Sequence, residues 1–199
     1  MLFKIRFKSM SISVIDVSNQ YNLDAEFFII ENFLLDPEIL VRDVIDNVNF
    51  EQFFTHTNKP VPRLIQHFGK EYNYYNIHHP EKDIPPFLEY LKNEIEYVTQ
   101  HDFNSVLINF YPNEKSNISW HSDNEQCLGY NPFIASYTLG QTRNFLLRHK
   151  KTLKEYVIEL KHNDLLLMGH LSQIHYEHSL PKHLTKCSPR INITLRHII

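Results

Sequence analysis

A histidine and an aspartate stand two residues apart in the segment His121-Ser122-Asp123. Residues two apart in an extended segment project to the same face, so both side chains could bind one metal ion. The distal segment Glu177-His178-Ser179-Leu180-Pro181 offers a second imidazole. Two imidazoles and one carboxylate form a facial triad that leaves three positions on Fe(II) open for a co-substrate and dioxygen. These residues indicate an iron site, although His-x-Asp alone is a weak signal among 13 histidines.

The choice of the second histidine is open from spacing alone, because several histidines lie near His178. His175 is the main competitor, and three residues away in a strand or bulge it would point in a different direction. His162, His170 and His183 are further alternatives in the same stretch.

The segment from Arg190 to Arg196 alternates strictly between polar and aliphatic residues. In a strand, this alternation turns the two arginines, Asn192 and Thr194 to one face and three aliphatic side chains to the other. Two guanidinium groups are costly on a face that packs into a domain, so the pattern predicts an anion opposite them. A dicarboxylate suits the fork geometry of arginine. The alternative is an edge strand whose polar face is solvated.

The composition is that of one globular domain: 42% of the 199 residues are hydrophobic and 22% are charged. The net charge of −3 provides no overall basic field, so a nucleic acid would have to meet a local basic patch. Cys127 and Cys187 are too few for a framework of bridges, which indicates free thiols in a reducing compartment. No signal peptide is recognisable and no apolar run approaches the ~18 residues of a membrane span, so an intracellular, soluble protein is expected.

Two amphipathic helices and a series of short strands are predicted to position these residues. Residues 33–50 and 85–100 each carry proline near the start and aliphatic residues at helical spacing. Residues 53–79 lack a clear period, which indicates short hairpins or loops. Beyond residue 105, seven β-type runs predict an antiparallel sandwich or barrel with the helices against one sheet; the runs are 106–111, 118–121, 134–139, 145–148, 156–160, 165–168 and 190–198.

Five motifs follow one another between Val106 and Ile198. They are Asn109-Phe110-Tyr111, His121-Ser122-Asp123-Asn124-Glu125, residues 137–145, His178-Ser179-Leu180-Pro181 and residues 190–196. This set resembles the AlkB family of Fe(II)- and 2-oxoglutarate-dependent nucleic-acid dealkylases, most closely its eukaryotic-type branch that repairs double-stranded DNA. The chain departs from the family pattern at Thr138 and Leu195, neither of which has a ligand role, and residues 61–63 with 68–69 extend the resemblance faintly toward the N-terminus.

The resemblance implies an α+β fold, a double-stranded β-helix (jelly roll) with N-terminal helices packed on one sheet and a nucleotide-recognition lid. Within one compact domain, residues 1–104 are expected to form the helices and lid, and residues 105–199 the catalytic core. The resemblance assigns Fe(II) to His121, Asp123 and His178, which are also the catalytic residues. It assigns 2-oxoglutarate to Asn109, Tyr111, Arg190, Asn192, Thr194 and Arg196, with Arg190 on the distal carboxylate and Arg196 near the metal-binding end.

The implied activity is oxidative demethylation of 1-methyladenine and 3-methylcytosine in DNA, with RNA as a second candidate substrate. Dioxygen and 2-oxoglutarate would be consumed, and the methyl group would leave as formaldehyde. Glu125, beside Asn124, would accept a hydrogen bond from the exocyclic amine and favour a cationic methylated base. The alternative for Glu125 is a solvated loop acid.

Further residues are expected to hold the nucleic acid. Arg63 is expected on the lid, Phe54 as a wedge, and Tyr74 or Tyr75 as a stacking partner. A basic strip would contact phosphates unless it is a solvated hairpin; it comprises Arg143, Arg148, His149, Lys150, Lys151 and Lys154, with Lys182, His183 and Lys186 after the iron histidine.

The expected partner is alkylated DNA, with RNA as the second candidate, and the resemblance implies a monomer with no obligate protein partner and no membrane. Two alternatives stay open. A dioxygenase acting on RNA alone, or on a protein or lipid, would keep the iron and 2-oxoglutarate residues; for a protein or lipid it would not need Glu125, Arg63 or the basic strip. A non-catalytic jelly-roll binding module would not need a complete ligand set.

Overall fold

Fourteen strands form three antiparallel sheets in the computed structural model, which describes residues 13–55, 57–74 and 77–199. The strands are β1 (Ser13–Asp16), β2 (Phe27–Glu31), β3 (Glu51–Phe54), β4 (Pro60–Gly69), β5 (Tyr72–Tyr74), β6 (Ile77–His79), β7 (Ser105–Tyr111), β8 (Ile118–His121), β9 (Ile134–Gly140), β10 (Arg143–His149), β11 (Glu155–Leu160), β12 (Asp164–Met168), β13 (Tyr176–Leu180) and β14 (Arg190–Arg196). The helices are α1 (Val17–Tyr21), α2 (Pro37–Asn47), α3 (Pro86–Thr99) and α4 (Ser172–His175), with a 3₁₀ turn at Gln126–Leu128.

The strands are arranged in one large sheet, one small sheet and one hairpin. The large sheet has the order β1-β2-β12-β9-β14-β7-β4-β3, and the small sheet has the order β11-β10-β13-β8. Strands β5 and β6 pair only with each other. Neighbours in the large sheet that are distant in sequence, such as β14 between β7 and β9, give the crossed connections of a jelly roll. This arrangement confirms the predicted fold class.

The hydrophobic core is divided between the two faces of the large sheet. On one face, aliphatic side chains of β7, β12 and β14 pack against the buried stripes of α2 and α3. On the other face, a second cluster joins β2, β9 and β12 of the large sheet to β10, β11 and β13 of the small sheet. The molecule therefore has three layers, and any site between the sheets lies opposite the helices.

Helices α2 and α3 form where the sequence predicts them, with shorter bounds. Each begins with a proline in its first turn, where no backbone donor is lost. In α3, Leu88, Leu91, Ile95 and Val98 are buried at helical spacing against the large sheet. Each such side chain contributes roughly 1.5–3 kcal/mol by leaving water. The helix ends at Gln100, whose left-handed backbone returns its N–H to the carbonyl of Glu96.

All seven predicted strands are present within a few residues of their expected ends, and the sequence reasoning missed several others. Strands β3 and β4 pair as a hairpin, as do β5 and β6, so the hairpins predicted as one possibility for residues 53–79 are present; β4 also extends the large sheet beside β7. Strand β2 is an uninterrupted apolar run and carries no alternation, because it is buried between β1 and β12. Strands β1 to β4 thus complete the sheet that β7, β9, β12 and β14 form, so the sheet runs across the division expected at residue 104. In the described ranges, no helix is long and apolar enough to cross a membrane.

Candidate metal centre and anion pocket

Three side chains from two strands and a loop converge between the sheets, and we call His121, Asp123 and His178 the inner triad. His121 ends β8 and is the cross-strand partner of His178 on β13. Their ring centroids are 4.2 Å apart, and Asp123 Oδ2 lies 3.8 Å from His178 Nε2. The ring of Phe145 stacks on His178 with a centroid distance of 5.1 Å. The inner triad is therefore a candidate metal site with two nitrogen ligands and one oxygen ligand.

The hydrogen bond of His121 fixes which ring nitrogen is available to a metal. Its Nδ1 lies 2.8 Å from the carbonyl oxygen of Ser119 and donates to it. The proton is then on Nδ1, and the Nε2 lone pair is free to coordinate. Burial lowers the pKa of both triad histidines, to about 3 for His178, which keeps the rings neutral as ligation requires.

Asp123 is held as a carboxylate in spite of its burial. Burial alone would raise its pKa, but the Arg196 guanidinium, 2.6 Å from Oδ1, lowers it below the ordinary value. The backbone N–H of Asp123 donates to Gln173 Oε1 at 2.9 Å. The structure therefore pairs Arg196 with Oδ1 of the candidate metal ligand Asp123. The other carboxylate oxygen, Oδ2, lies on the side of His178.

Beside the inner triad, strand β14 forms the floor of a polar cavity. All seven of its residues are buried, so the alternative of a solvated edge strand is wrong. Arg190 is 3% exposed, and its Nη2 donates to Thr138 Oγ1 at 2.9 Å. Its Nε has no hydrogen-bond partner among the described residues, and burial lowers the pKa of the guanidinium to about 10. A buried cation with an unused donor is the feature that an anionic ligand would satisfy.

The other residues predicted for the co-substrate line the same cavity. Asn192 donates to Ser136 Oγ at 2.8 Å and accepts a hydrogen bond from Thr194 at 3.1 Å. On β7, Asn109 and Tyr111 face the cavity, because they alternate with Ile108, which belongs to the helix-facing core. The lining comprises Arg63, Leu107, Asn109, Tyr111, Ile118, His121, Asp123, Ser136, Phe145, Met168, His178, Leu180, Arg190, Asn192, Thr194 and Arg196.

Arg63, which is expected on the nucleotide-recognition lid, lines this cavity. It is 7% exposed on β4, and its Nε donates to Asn109 Oδ1 at 2.6 Å. Strand β4 joins the large sheet beside β7 and turns this side chain inward, and its role toward a nucleotide stays a prediction.

Glu125 lies against the buried phenol of Tyr72. Burial and the nearby Asp123 carboxylate raise the pKa of Glu125, and burial raises the pKa of Tyr72. The Tyr72 ring also lies beneath Arg196, with the guanidinium 5.4 Å from the ring centroid. Sequence reasoning missed Tyr72; its one signal was its place in an aromatic stretch beside the other candidates.

The remaining predicted substrate residues lie at the surface or outside the described side chains. Phe54 is 51% exposed at the end of β3, and Asn124, Lys182 and Lys186 are exposed. Tyr74 ends β5, and Tyr75 lies outside the described residues. Phe54, Asn124, Lys182 and Lys186 are therefore open to a large ligand, and their role in binding one stays a prediction.

Part of the predicted basic strip is wrong. Arg143 is 2% exposed and donates to the carbonyls of Ser116 and Pro181, so it cannot reach a phosphate. Arg148 pairs with Glu177 at 2.6 Å and lies over the Trp120 ring. Lys150 donates to the Gln173 carbonyl. The exposed lysines Lys151, Lys182 and Lys186 remain available to a phosphate.

A second group of two histidines and one aspartate lies outside the cavity, and we call Asp24, His149 and His175 the outer cluster. Its three potential ligand atoms lie within 4.8 Å of one another. His175 Nδ1 is 3.0 Å from Asp24 Oδ2, and the Tyr176 hydroxyl donates to Asp24 Oδ1 at 2.8 Å. His175 therefore faces Asp24, which leaves His178 as the histidine of the inner triad.

Comparison with known proteins identifies the family. Residues 38–196 match the model of the 2OG-Fe(II) oxygenase superfamily, and the chain belongs to that superfamily. The human alpha-ketoglutarate-dependent dioxygenase alkB homolog 3 is 41% identical over 148 residues, which is 69% of this chain and 52% of the human protein. The bovine DNA oxidative demethylase ALKBH2 is 34% identical over 139 residues, 66% of this chain and 50% of the bovine protein.

A solved structure shares the fold. The structure of OsALKBH1 superposes with a TM-score of 0.64 at 16% identity and covers 88% of this chain and 99% of that one. The chain spans about half the length of the curated relatives it matches. Membership of the superfamily implies Fe(II), 2-oxoglutarate and dioxygen, and the inner triad with the Arg190 pocket beside it is a donor set that fits an iron ion and a dicarboxylate.

Proposed function

We propose that this chain is an oxidative demethylase of N-alkylated nucleobases, acting on 1-methyladenine and 3-methylcytosine in DNA, with RNA as a second candidate substrate. The observation that carries the proposal is the position of the inner triad beside a buried guanidinium with an unused donor. One cavity thereby offers a site for a metal and a site for the co-substrate that the superfamily uses.

In this proposal His121, Asp123 and His178 hold Fe(II), and the polar floor holds 2-oxoglutarate. The Arg190 fork pairs with the distal carboxylate, since Arg190 lines the cavity and its Nε has no hydrogen-bond partner among the described residues, while Nη2 donates to Thr138 and the guanidinium lies over the Tyr111 ring. Asn109, Tyr111, Asn192 and Thr194 hydrogen-bond the co-substrate and orient its keto-acid end toward the triad. Arg196 keeps Asp123 ionised and fixes its Oδ1. When bound, the iron and co-substrate would supply the oxidation, in which one dioxygen molecule oxidises 2-oxoglutarate to succinate and CO2 and the N-methyl group to formaldehyde, which leaves the restored base.

The proposed base-reading residue is Glu125. A carboxylate at this position accepts a hydrogen bond from the exocyclic amine of adenine or cytosine and stabilises a base made cationic by N-methylation. The Tyr72 phenol stays protonated, because burial raises its pKa, and it interacts with the Glu125 carboxylate. Phe54, Lys182 and Lys186 are exposed, and in this proposal they contact the polynucleotide.

The relatives support a nucleic-acid substrate but do not determine whether it is DNA or RNA, or single- or double-stranded. The identity to alkB homolog 3 is higher than that to DNA oxidative demethylase ALKBH2, at 41% against 34%. We therefore propose alkylated DNA and RNA as the substrates to compare, and a monomer as the acting form.

The proposal is tested by supplying the purified chain with Fe(II), 2-oxoglutarate and oligonucleotides carrying 1-methyladenine or 3-methylcytosine. The oligonucleotides are single-stranded DNA, duplex DNA and RNA of one sequence. Equimolar succinate, formaldehyde and repaired base are expected, and His121→Ala should abolish all three. His162→Ala is the matched control, because His162 lies beside Glu38 on the helix side of the molecule. Base repair that persists in His121→Ala overturns the iron assignment, and succinate without repair of any base favours a protein or lipid substrate.

A further inference from the structure

Gln173 is a buried amide for which the proposed chemistry has no use. It lies in the single turn of α4, between β12 and β13, and is 1% exposed. Its Oε1 accepts the backbone N–H of Asp123 at 2.9 Å. Its Nε2 donates to Ser172 Oγ at 3.2 Å and contacts Met168 Sδ at 3.6 Å. The contacts of Nε2 therefore fix the orientation of the side-chain amide, and its Oε1 holds the loop that carries Asp123.

A second hydrogen bond ties the same loop to the same segment. The hydroxyl of Ser122 donates to the carbonyl of Tyr176 at 2.8 Å. Tyr176 stands two residues before His178, so the loop that carries Asp123 is held to the strand that carries His178. The adjacent loop residues Ser122 and Asp123 therefore each donate one hydrogen bond to the segment before His178, and these two bonds limit how far Asp123 can move relative to His178.

The outer end of α4 is anchored by the outer cluster. Asp24 receives the Tyr176 hydroxyl and lies 3.0 Å from His175 Nδ1, and Lys150 Nζ donates to the carbonyl of Gln173 itself at 2.7 Å. The turn is therefore fixed on the side away from the cavity, and the Gln173 side chain projects from a fixed backbone.

The outer cluster is better suited to this anchoring than to metal binding. The Nδ1 atom of His149 accepts the backbone N–H groups of Lys151 and Thr152, both at 3.1 Å. The neutral ring then carries its proton on Nε2, the atom that faces Asp24 at 3.4 Å. A metal at this place would require that proton to leave and both amide hydrogen bonds to break.

From these contacts we propose that Gln173 is a positioning residue for the metal ligand Asp123. By holding the backbone amide of Asp123, it keeps the Oδ2 atom on the side of His178. The inference rests on the proposed function, because it takes the inner triad as the metal site. Removal of partners that orient metal ligands typically lowers metal affinity by about 10–100-fold.

The test measures metal binding directly, by the absorption of Co(II) titrated into the metal-free protein in place of Fe(II). Gln173→Leu keeps the bulk and removes the acceptor, and its dissociation constant for Co(II) should rise about tenfold or more. Gln173→Glu keeps an acceptor at the same place and should restore most of the affinity. Gln141→Leu is the matched control, since Gln141 lies in the turn between β9 and β10.

Amide hydrogen exchange supplies a readout that a general loss of packing would not give. The Asp123 amide should be protected in the wild type and in Gln173→Glu, and exchange faster in Gln173→Leu while the strand amides keep their protection. If Gln173→Leu does not fold, Ser122→Ala removes only the second tie and should weaken Co(II) binding about threefold.

The failures of the two proposals are distinguishable. Co(II) binding that survives His121→Ala overturns the inner triad as the metal site. Co(II) binding that is lost in His121→Ala but unchanged in Gln173→Leu, with Asp123 still protected, overturns the positioning role alone.

Discussion

The inner triad and the outer cluster contain the same residue types, two histidines and one aspartate, in different surroundings. Asp123 is 2% exposed and is held by a guanidinium, whereas the Asp24 side chain is 55% exposed and faces hydrogen-bond donors. His121 donates from Nδ1 and leaves Nε2 free, whereas His149 accepts at Nδ1 and keeps the proton on Nε2. The hydrogen bond at Nδ1 of the histidine ring therefore decides whether Nε2 is available, and so whether two histidines and one aspartate can bind a metal.

Removing one aspartate from each group is the most direct test of whether the inner triad, and not the outer cluster, binds the metal. Asp123→Ala should raise the dissociation constant for Co(II) at least about 100-fold, the upper range for losing even an indirect partner of a ligand. Asp24→Ala should leave it within about twofold, because the outer cluster is not the metal site. Titration of Co(II) absorption in the two variants measures both effects. Equal losses would show that the outer cluster also binds the metal.

The anion pocket separates the two groups further, since only the inner triad has a buried guanidinium beside it. Arg190→Lys keeps the charge but loses the fork, and the KM for 2-oxoglutarate should rise about 30-fold or more, as expected for disturbing a buried charge pair worth ~2–5 kcal/mol. Succinate formation at varied 2-oxoglutarate measures the change. Arg148→Lys is the control, because Arg148 pairs with Glu177 on the small sheet. An unchanged KM in Arg190→Lys would contradict the role of Arg190 in binding the distal carboxylate of 2-oxoglutarate.

A smaller effect is expected at Glu125, which lies beside the inner triad without belonging to it. Glu125→Gln should lower repair of the cationic base about tenfold, the scale of one hydrogen bond to a charged group at ~1.5–3 kcal/mol. Succinate formation without nucleic acid should stay within about twofold, since no co-substrate contact is removed. Parallel measurement of base repair and succinate separates the two. An equal loss in both would contradict a base-reading role. Glu159→Gln, at an exposed position of β11, serves as the control.

Sequence patterns predicted the residues whose role depends on local spacing. The alternation of β14 follows from the two-residue period of a strand. The pair in His121-Ser122-Asp123 is predicted from the same period, but β8 ends at His121, and Asp123 reaches the site from the loop that follows. The same rule would have corrected Arg143, which shares its parity with the inward Phe145 and Leu147 of β10. Gln173 and the outer cluster depend on contacts between distant segments, with 50 residues separating Gln173 from Asp123. No periodicity in one sequence reports such a contact.

The smallest effect concerns the outer cluster as an anchor. Burial would raise the pKa of Asp24, but the Tyr176 hydroxyl, His175 and His149 lower it below the ordinary 3.8. A carboxyl whose pKa is lowered by folding stabilises the protein above its unfolded pKa, and this stabilisation is lost as the pH falls through the folded value. Asp24→Asn should therefore cost about 1 kcal/mol or less near pH 6, because the side chain is more than half exposed.

The difference in unfolding free energy between wild type and Asp24→Asn should shrink as the pH falls below 3.8, where the Asp24 carboxyl of the unfolded chain takes up its proton first, and should vanish once the pH is below the lower pKa of the folded protein. Urea unfolding at several pH values measures it. Asp16→Asn, which removes the charge of the α1 cap elsewhere in the same N-terminal segment, is the matched control. A difference that grows as the pH falls would mean that Asp24 is not held ionised by its neighbours. Because the outer cluster fixes the turn that carries Gln173, the same variant should weaken Co(II) binding by no more than about twofold, far less than a change at Gln173 itself.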